Sequence, residues 1–379
     1  MLEILYTNNH DLFREIEIGK DHIESQPIPS ELEPYKEWLL NYFRKLETRI
    51  QDNFYLLSLE EDDIFSEIYS WTLQVTKELR VLNSEFLTPL YRYNKFDNLC
   101  LKLLKWLHDQ HLQSKDCIFA LSHGDFAITA HRKLLIYALP SSSRQDILHL
   151  PLFFHEYGHY LFSYHEQEMI ELIADVQKKL QEEIVVPFQE NNARSQHEIE
   201  KNKIIIETWY SWMEELFCDA IGLHIGGISY LHTFSLYLRT NGNSAFYYPE
   251  EALAKSSHPV SWLRVIFLVE RAKKLGFVED AQKILIDWEN IAGLLGINQN
   301  YHGYYRQSYK PYITKALDDM LEEANPISFR DYICNIDNFN PKHNNFIELA
   351  NWAWQKYFSD VESFIEEEKQ IIEHYKMDL

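Results

Sequence analysis

Glycine is scarce in this chain, 11 of 379 residues, while 24 tyrosines, 22 phenylalanines and 9 tryptophans make aromatic side chains abundant. That balance favours long helices with large side chains packed between them. Cysteine is nearly absent: Cys100, Cys117, Cys218 and Cys334 are scattered, and no CxxC pair occurs. A reduced, cytoplasmic setting is the simplest expectation. Basic residues are in deficit, 36 Lys and Arg against 58 Asp and Glu, for a net charge of −22. Such a chain repels a phosphate backbone, so no nucleic-acid partner is expected, whereas a basic or neutral substrate is tolerated. Near the start, Glu3 stands where a signal peptide wants positive charge, and no long apolar run follows. One uncharged segment, Ala220 to Leu238, approaches the length of a membrane span. Its Gly222, Gly226 and Gly227, together with His224, Ser229, His232, Thr233 and Ser235, predict instead a buried core helix broken near Gly226-Gly227. No membrane span is expected. What remains is ordinary globular composition, 46% apolar and 25% charged, at a length that fits two or three domains or one large domain with helical extensions.

The chain is organised around Leu148 to Phe162, which contains His155-Glu156-Tyr157-Gly158-His159. On a helix, residues four apart differ by about 40° around the axis, so both imidazoles leave one face, spaced to grip one metal ion. Glu156 lies about 60° from His159, close enough to hold a water on the metal without ligating it. Phe154, Tyr157 and Leu161 form the back of this helix and anchor it in a core. Gly158 in mid-helix costs about 1 kcal/mol against alanine, which marks a place of close backbone packing. Chance produces an HExxH about once in fifteen chains of this composition, so the apolar helical context and a third ligand have to decide.

Two stretches offer that third ligand, Glu171-Leu-Ile-Ala-Asp175 and Glu215-Leu-Phe-Cys-Asp219. Glu171 follows His159 in what reads as the same helix, so the chain would have to double back at once. Glu215 belongs to a separate helix able to lie antiparallel to the first, and is favoured. Asp219 shares the face of Glu215 and is placed to accept the outer N–H of a ligating histidine. Cys218 reads as a small core residue rather than a ligand. Further on, His258-Pro259-Val-Ser-Trp-Leu-Arg264 reads as the start of a helix at Pro259. His258 there either donates a hydrogen bond to the oxyanion of a tetrahedral intermediate or caps the helix.

Around this centre, residues 1–115 read as a helical region, with a loop over Gln26–Pro34 and apolar positions such as Leu39, Phe43, Leu46 and Ile50 at helical spacing. Short apolar runs at Cys117–Leu121, Asp125–Ala130 and Lys133–Ala138 predict a small strand cluster ahead of the HExxH helix. Residues 165–203 turn polar and predict a solvated helical insertion with a tip near Glu190–Gln196. Val278–Leu295 and Ile313–Glu323 read as helices, and the tyrosine-rich Asn300–Tyr312 between them as ordinary packing or a cleft-lining loop. A final helix carries an apolar stripe from Phe346 to Ile365, which docks on the body or on a second copy.

His155-Glu156-x-x-His159, Glu215-x-x-x-Asp219 and His258-Pro259-x-x-x-x-Arg264, in that order, resemble the gluzincin peptidases. The pattern is most similar to the family of the CAAX prenyl endopeptidases and the bacterial heat-shock membrane zincins, over roughly residues 117–275, and to a soluble bacterial branch of it. The resemblance implies Zn²⁺ held by His155, His159 and Glu215, with Glu156 as general base and Asp219 supporting a ligand. It also implies a transition-state role for His258 and a structural or substrate-contacting one for Arg264. The expected fold is mainly α with a few strands (α+β): a zincin-like catalytic domain over 116–300, an N-terminal helical region (1–115) and a C-terminal one (301–379). The expected function is a soluble zinc metallopeptidase acting on a peptide or protein substrate. The alternatives are hydrolysis of a non-peptide amide, or a non-catalytic zincin-fold interaction protein, which would have no use for Glu156 as a base.

Overall fold

The computed structural model describes every residue except 132, 185–195, 241–244, 297–300, 333–344 and 378–379. The fold is mainly α with one small sheet. Helices α1 (Leu2–Ser25), α2 (Glu33–Leu57), α3 (Phe65–Val81), α4 (Thr88–Tyr91) and α5 (Asn98–Asp109) come first. Strands β1 (Ile118–His123), β2 (Ala127–His131) and β3 (Leu134–Leu139) follow. Next come α6 (Leu152–Tyr164), α7 (Glu166–Ile184), α8 (Gln196–Gly226), α9 (Ile228–Arg239), α10 (Glu250–Leu253) and α11 (Ser261–Leu275). The chain ends with α12 (Val278–Leu295), α13 (Lys310–Ala324), α14 (Phe346–Ser359) and α15 (Val361–Met377).

Two compact units divide these elements. The first comprises Met1–Lys105, Asp116–Arg144 and Ile372–Leu379. In it α1, α2 and α3 pack together around buried Leu5, Ile16, Phe43, Ile50 and Ile68, with Asn9, Asn53 and Thr72 hydrogen-bonded to one another in their midst. The sheet belongs here because β1 packs on α2 and α4. Its order is β1-β3-β2; β1 runs parallel to β3 from Ile118↔Leu134 to His123↔Leu139, and β2 pairs antiparallel to β3. All three expected strands form, but they group with the N-terminal helices.

The second unit, Trp106–Lys115 with Gln145–Ile371, is built on α6 and α8. A short 3₁₀ turn, Ile147–His149, leads into α6, with the Asp146 carboxylate accepting from the Leu148 N–H. Phe154, Tyr157 and Leu161 are buried as expected, and the Tyr157 hydroxyl lies 2.9 Å from that of Ser114. Gly158 is where α6 meets α8: a Cβ there would fall 2.8 Å from Cys218 Cα. Only a residue without a side chain lets the two backbones come this close. We expect Gly158→Ala to gain about 1 kcal/mol of helix propensity but lose about 1–3 kcal/mol to overpacking. Gly158→Val forces the helices further apart. In denaturant melts the midpoint falls in the order glycine, alanine, valine, and an unchanged midpoint for valine would contradict the close approach.

The uncharged Ala220–Leu238 segment breaks as expected: α8 ends at Gly226, and Gly227 has φ 62°, a conformation that favours glycine. Asn351 from α14 holds the break, its amide donating to Gly226 O (3.4 Å) and its oxygen accepting from the Ser229 N–H (3.2 Å). No helix among the described residues is long and apolar enough to cross a membrane.

Three expectations need correction. Residues 166–184 are not a wholly solvated insertion, because α7 buries Met169, Ile173, Val176, Leu180 and Ile184 against α8 and α13. Most of the expected polar tip lies outside the described residues. The final apolar stripe is two helices, since Asp360 ends α14 and its carboxylate accepts from Ser363 N at the start of α15. Finally, α11 starts at Ser261, two residues after Pro259. Two of the tyrosines beyond α12 pack in the core: Trp209 donates to the backbone oxygen of buried Tyr304, and buried Tyr309 lies edge-on to Trp209.

Candidate metal centre

Helices α6 and α8 bring the expected ligands together. His155, His159 and Glu215 each present an atom within 4.8 Å of the other two, the sole such His/Cys/Asp/Glu group among the described residues. His155 Nε2 lies 3.5 Å from Glu215 Oε2, and His159 Nε2 lies 3.6 Å from Glu215 Oε1. Glu171 and Asp175, on α7, are exposed and take no part. Cys218 is a buried free thiol outside the group, as expected.

Each ring turns its other nitrogen to a second carboxylate. His155 Nδ1 is 3.0 Å from Asp219 Oδ1, and His159 Nδ1 is 2.9 Å from Glu214 Oε1. Asp219 is itself gripped by Arg264, which donates Nε–H to Oδ2 (2.8 Å) and Nη2–H to Oδ1 (2.7 Å). The same Nη2 reaches Glu215 Oε2 at 3.1 Å. Arg264 is 5% exposed, its guanidinium over the Phe234 ring. Tyr230 completes the cluster by donating to Asp219 Oδ1 (3.2 Å). Its ring fills the space left by Gly222, where a Cβ would sit 2.3 Å from it.

The charges follow from these contacts. Burial opposes ionisation of Asp219 and Glu215, but the Arg264 guanidinium and the His155 ring outweigh it, and both carboxyls lie below their ordinary range. Burial likewise opposes a charged His155, yet hydrogen bonds to Asp219 and Glu215 push it up to about 10. Glu156 is 5% exposed, and among the described residues it accepts no hydrogen bond. Burial raises its pKa, and the nearby His155 and His159 rings pull it partly back.

His258 sits at the rim, its side chain 55% exposed, with Nε2 3.2 Å from Glu215 Oε1. Its Nδ1 pairs with the Ser257 hydroxyl at 2.8 Å. The capping alternative fails, because Val260 is the N-cap of α11 and no side chain caps it.

These residues fit a bound cation. Bonds of about 2.0–2.1 Å at tetrahedral angles separate neighbouring ligand atoms by about 3.3 Å. The observed 3.5 and 3.6 Å, one to each oxygen of Glu215, leave the three groups within reach of one ion. Two imidazoles and a carboxylate form the donor set of a hydrolytic zinc site with an open position. Glu215 Oε2 is buried with no well-aligned hydrogen bond, as a ligand oxygen would be. Neither Tyr230 nor Glu214 was found by spacing in the sequence: the Gly222 gap hints at the first, and the second hides beside Glu215 in an acidic pair. The chain matches no family model, no curated protein and no solved structure.

Proposed function

We propose that this chain is a zinc-dependent metallopeptidase of the gluzincin type. The observation that carries the reading is the convergence of His155, His159 and Glu215 on one point beside the buried, unpartnered carboxylate of Glu156. Zn²⁺ bound there would polarise the scissile carbonyl and acidify a water. Glu156 takes the proton from the attacking water and delivers it to the departing amine. Its raised pKa suits both halves of that transfer, since it becomes a stronger base and still returns the proton. Asp219 and Arg264 hold the His155 ring and the Glu215 carboxylate in place, and His258 donates to the developing oxyanion from the open side. The buried free thiols of Cys100 and Cys218 suit a reducing cytoplasm.

The test is metal content together with cleavage. Purified protein is expected to carry about one zinc per chain and to cut members of a peptide library. Glu215→Ala is expected to weaken zinc binding by more than the roughly 10–100-fold associated with outer hydrogen-bond partners. Glu171→Ala should leave binding unchanged. Arg264 keeps its two bonds to Asp219 in the Glu215 variant, so the fold persists. A wild-type protein that stays metal-free when offered zinc ends this reading, and a damaging Glu171→Ala moves the ligand to α7.

A further inference from the structure

We propose that Glu214 is a positioning residue for the metal site, accepting the Nδ1–H of His159 and so aiming Nε2 of that ring at the ion. The inference rests on the metal reading above and goes beyond it. A neutral imidazole carries one proton, and the partner of one nitrogen decides which nitrogen keeps its lone pair. For His155 that partner is Asp219, itself fixed by Arg264 and Tyr230. His159 has none of that support. Its side chain is more exposed, 22% against 9%, and among the described residues the Glu214 carboxylate is the only group on Nδ1, at 2.9 Å. Without it, Nδ1 would be left to water, and the ring would be free to exchange tautomers and turn.

The helix explains how one stretch performs both tasks. Adjacent residues differ by about 100° around the axis. Glu215 therefore points between the two histidines while Glu214 comes round to the outer edge of His159. Asp219, four residues after Glu215, returns to the same face and takes His155. From Glu214 to Asp219, α8 supplies a carboxylate to all four ring nitrogens: Asp219 to His155 Nδ1, Glu214 to His159 Nδ1, and Glu215 to both Nε2 atoms. The Glu214–His159 pair is partly buried, 30% and 22% exposed, so the melting temperature of the metal-free protein is read beside zinc affinity to separate any contribution to folding from the effect on the metal.

The experiment measures zinc affinity of the full chain by competition with a chromophoric chelator, and the absorption of bound Co²⁺. E214A is expected to bind zinc about 10–100-fold more weakly than wild type, with a shifted cobalt band and an unchanged melting temperature of the metal-free protein. E214Q keeps an oxygen acceptor and is expected to recover most of the affinity. E207A removes an exposed carboxylate from the same helix and is expected to match wild type. Should E214A fail to fold, E214L keeps bulk without an acceptor and carries the same expectation. Zinc affinity of E214A or E214L within about twofold of wild type, far less than an outer partner's loss brings, overturns the proposal. So does an equal loss in E207A, which would reduce Glu214 to one more negative charge. A wild type that binds no zinc refutes the metal reading itself, and that result appears in the wild-type arm alone.

Discussion

Glu156→Gln is expected to retain zinc and lose hydrolysis. The amide has the shape of the carboxylate and still hydrogen-bonds a water, but it has no basic oxygen to take the proton. A positioned general base contributes about 10²–10⁴ in rate, so kcat falls by that factor. The fold has little reason to change. Glu156 accepts no hydrogen bond among the described residues, so the substitution breaks no network, and it removes a buried charge that desolvation penalises. The ligands keep their orienting partners, since Asp219 and Glu214 contact His155 and His159 independently of Glu156. Metal analysis and steady-state kinetics on one preparation check both halves. Wild-type turnover in the zinc-loaded variant would exclude Glu156 as the base, and loss of zinc would place it among the groups that build the site.

The parts of this site legible in the sequence are those written in helical spacing. His155, Glu156 and His159 lie within one turn and a half of α6, so their common face follows from the 3.6-residue period alone. Gly158 was legible for a different reason: a glycine in mid-helix is costly, and the close approach of Cys218 accounts for it. Glu215 was separable from Glu171 by chain geometry, and the exposed position of Glu171 on α7 agrees. Contacts between distant segments were harder to read. Tyr230 reaches Asp219 only because the chain reverses at Gly227, and the acidic pair Glu214-Glu215 divides its roles by a rotation around α8. Neither has a spacing rule.

Other misses had signals that were outweighed. In α7 the buried residues recur at intervals of three and four, but the polar majority of that stretch reads as solvated. The break at Asp360 was masked by an apolar stripe that stays in register across it, although Asp360-Val-Glu-Ser363 carries a capping residue. The sheet was visible as strands from their apolar runs, whereas its grouping with α2 and α4 depends on packing that no local pattern encodes. In each case local propensity identified the element, and tertiary contacts decided its company.

His258→Ala is expected to lower kcat by about 10²–10³, the usual cost of removing one oxyanion donor, with little change in KM. The ring is well placed for that role. It is half-exposed at the rim, its Nδ1 is fixed by the Ser257 hydroxyl, and its Nε2 reaches to within 3.2 Å of Glu215 Oε1. A donor anchored at one nitrogen and free to swing the other a short way meets an oxyanion where the charge develops. Helix capping is already excluded, so stability should be nearly unaffected: α11 starts from Val260 without a side-chain cap, and His258 buries little surface. The proximity of Glu215 offers one competing role. If His258 mainly steadies that carboxylate, its loss appears as weaker zinc binding, and kcat at saturating zinc stays near wild type. Zinc titration and kinetics on the same variant therefore read different columns of the same comparison. Reduced kcat with wild-type zinc affinity supports the oxyanion role, and unchanged kcat in the fully loaded variant removes His258 from the chemistry.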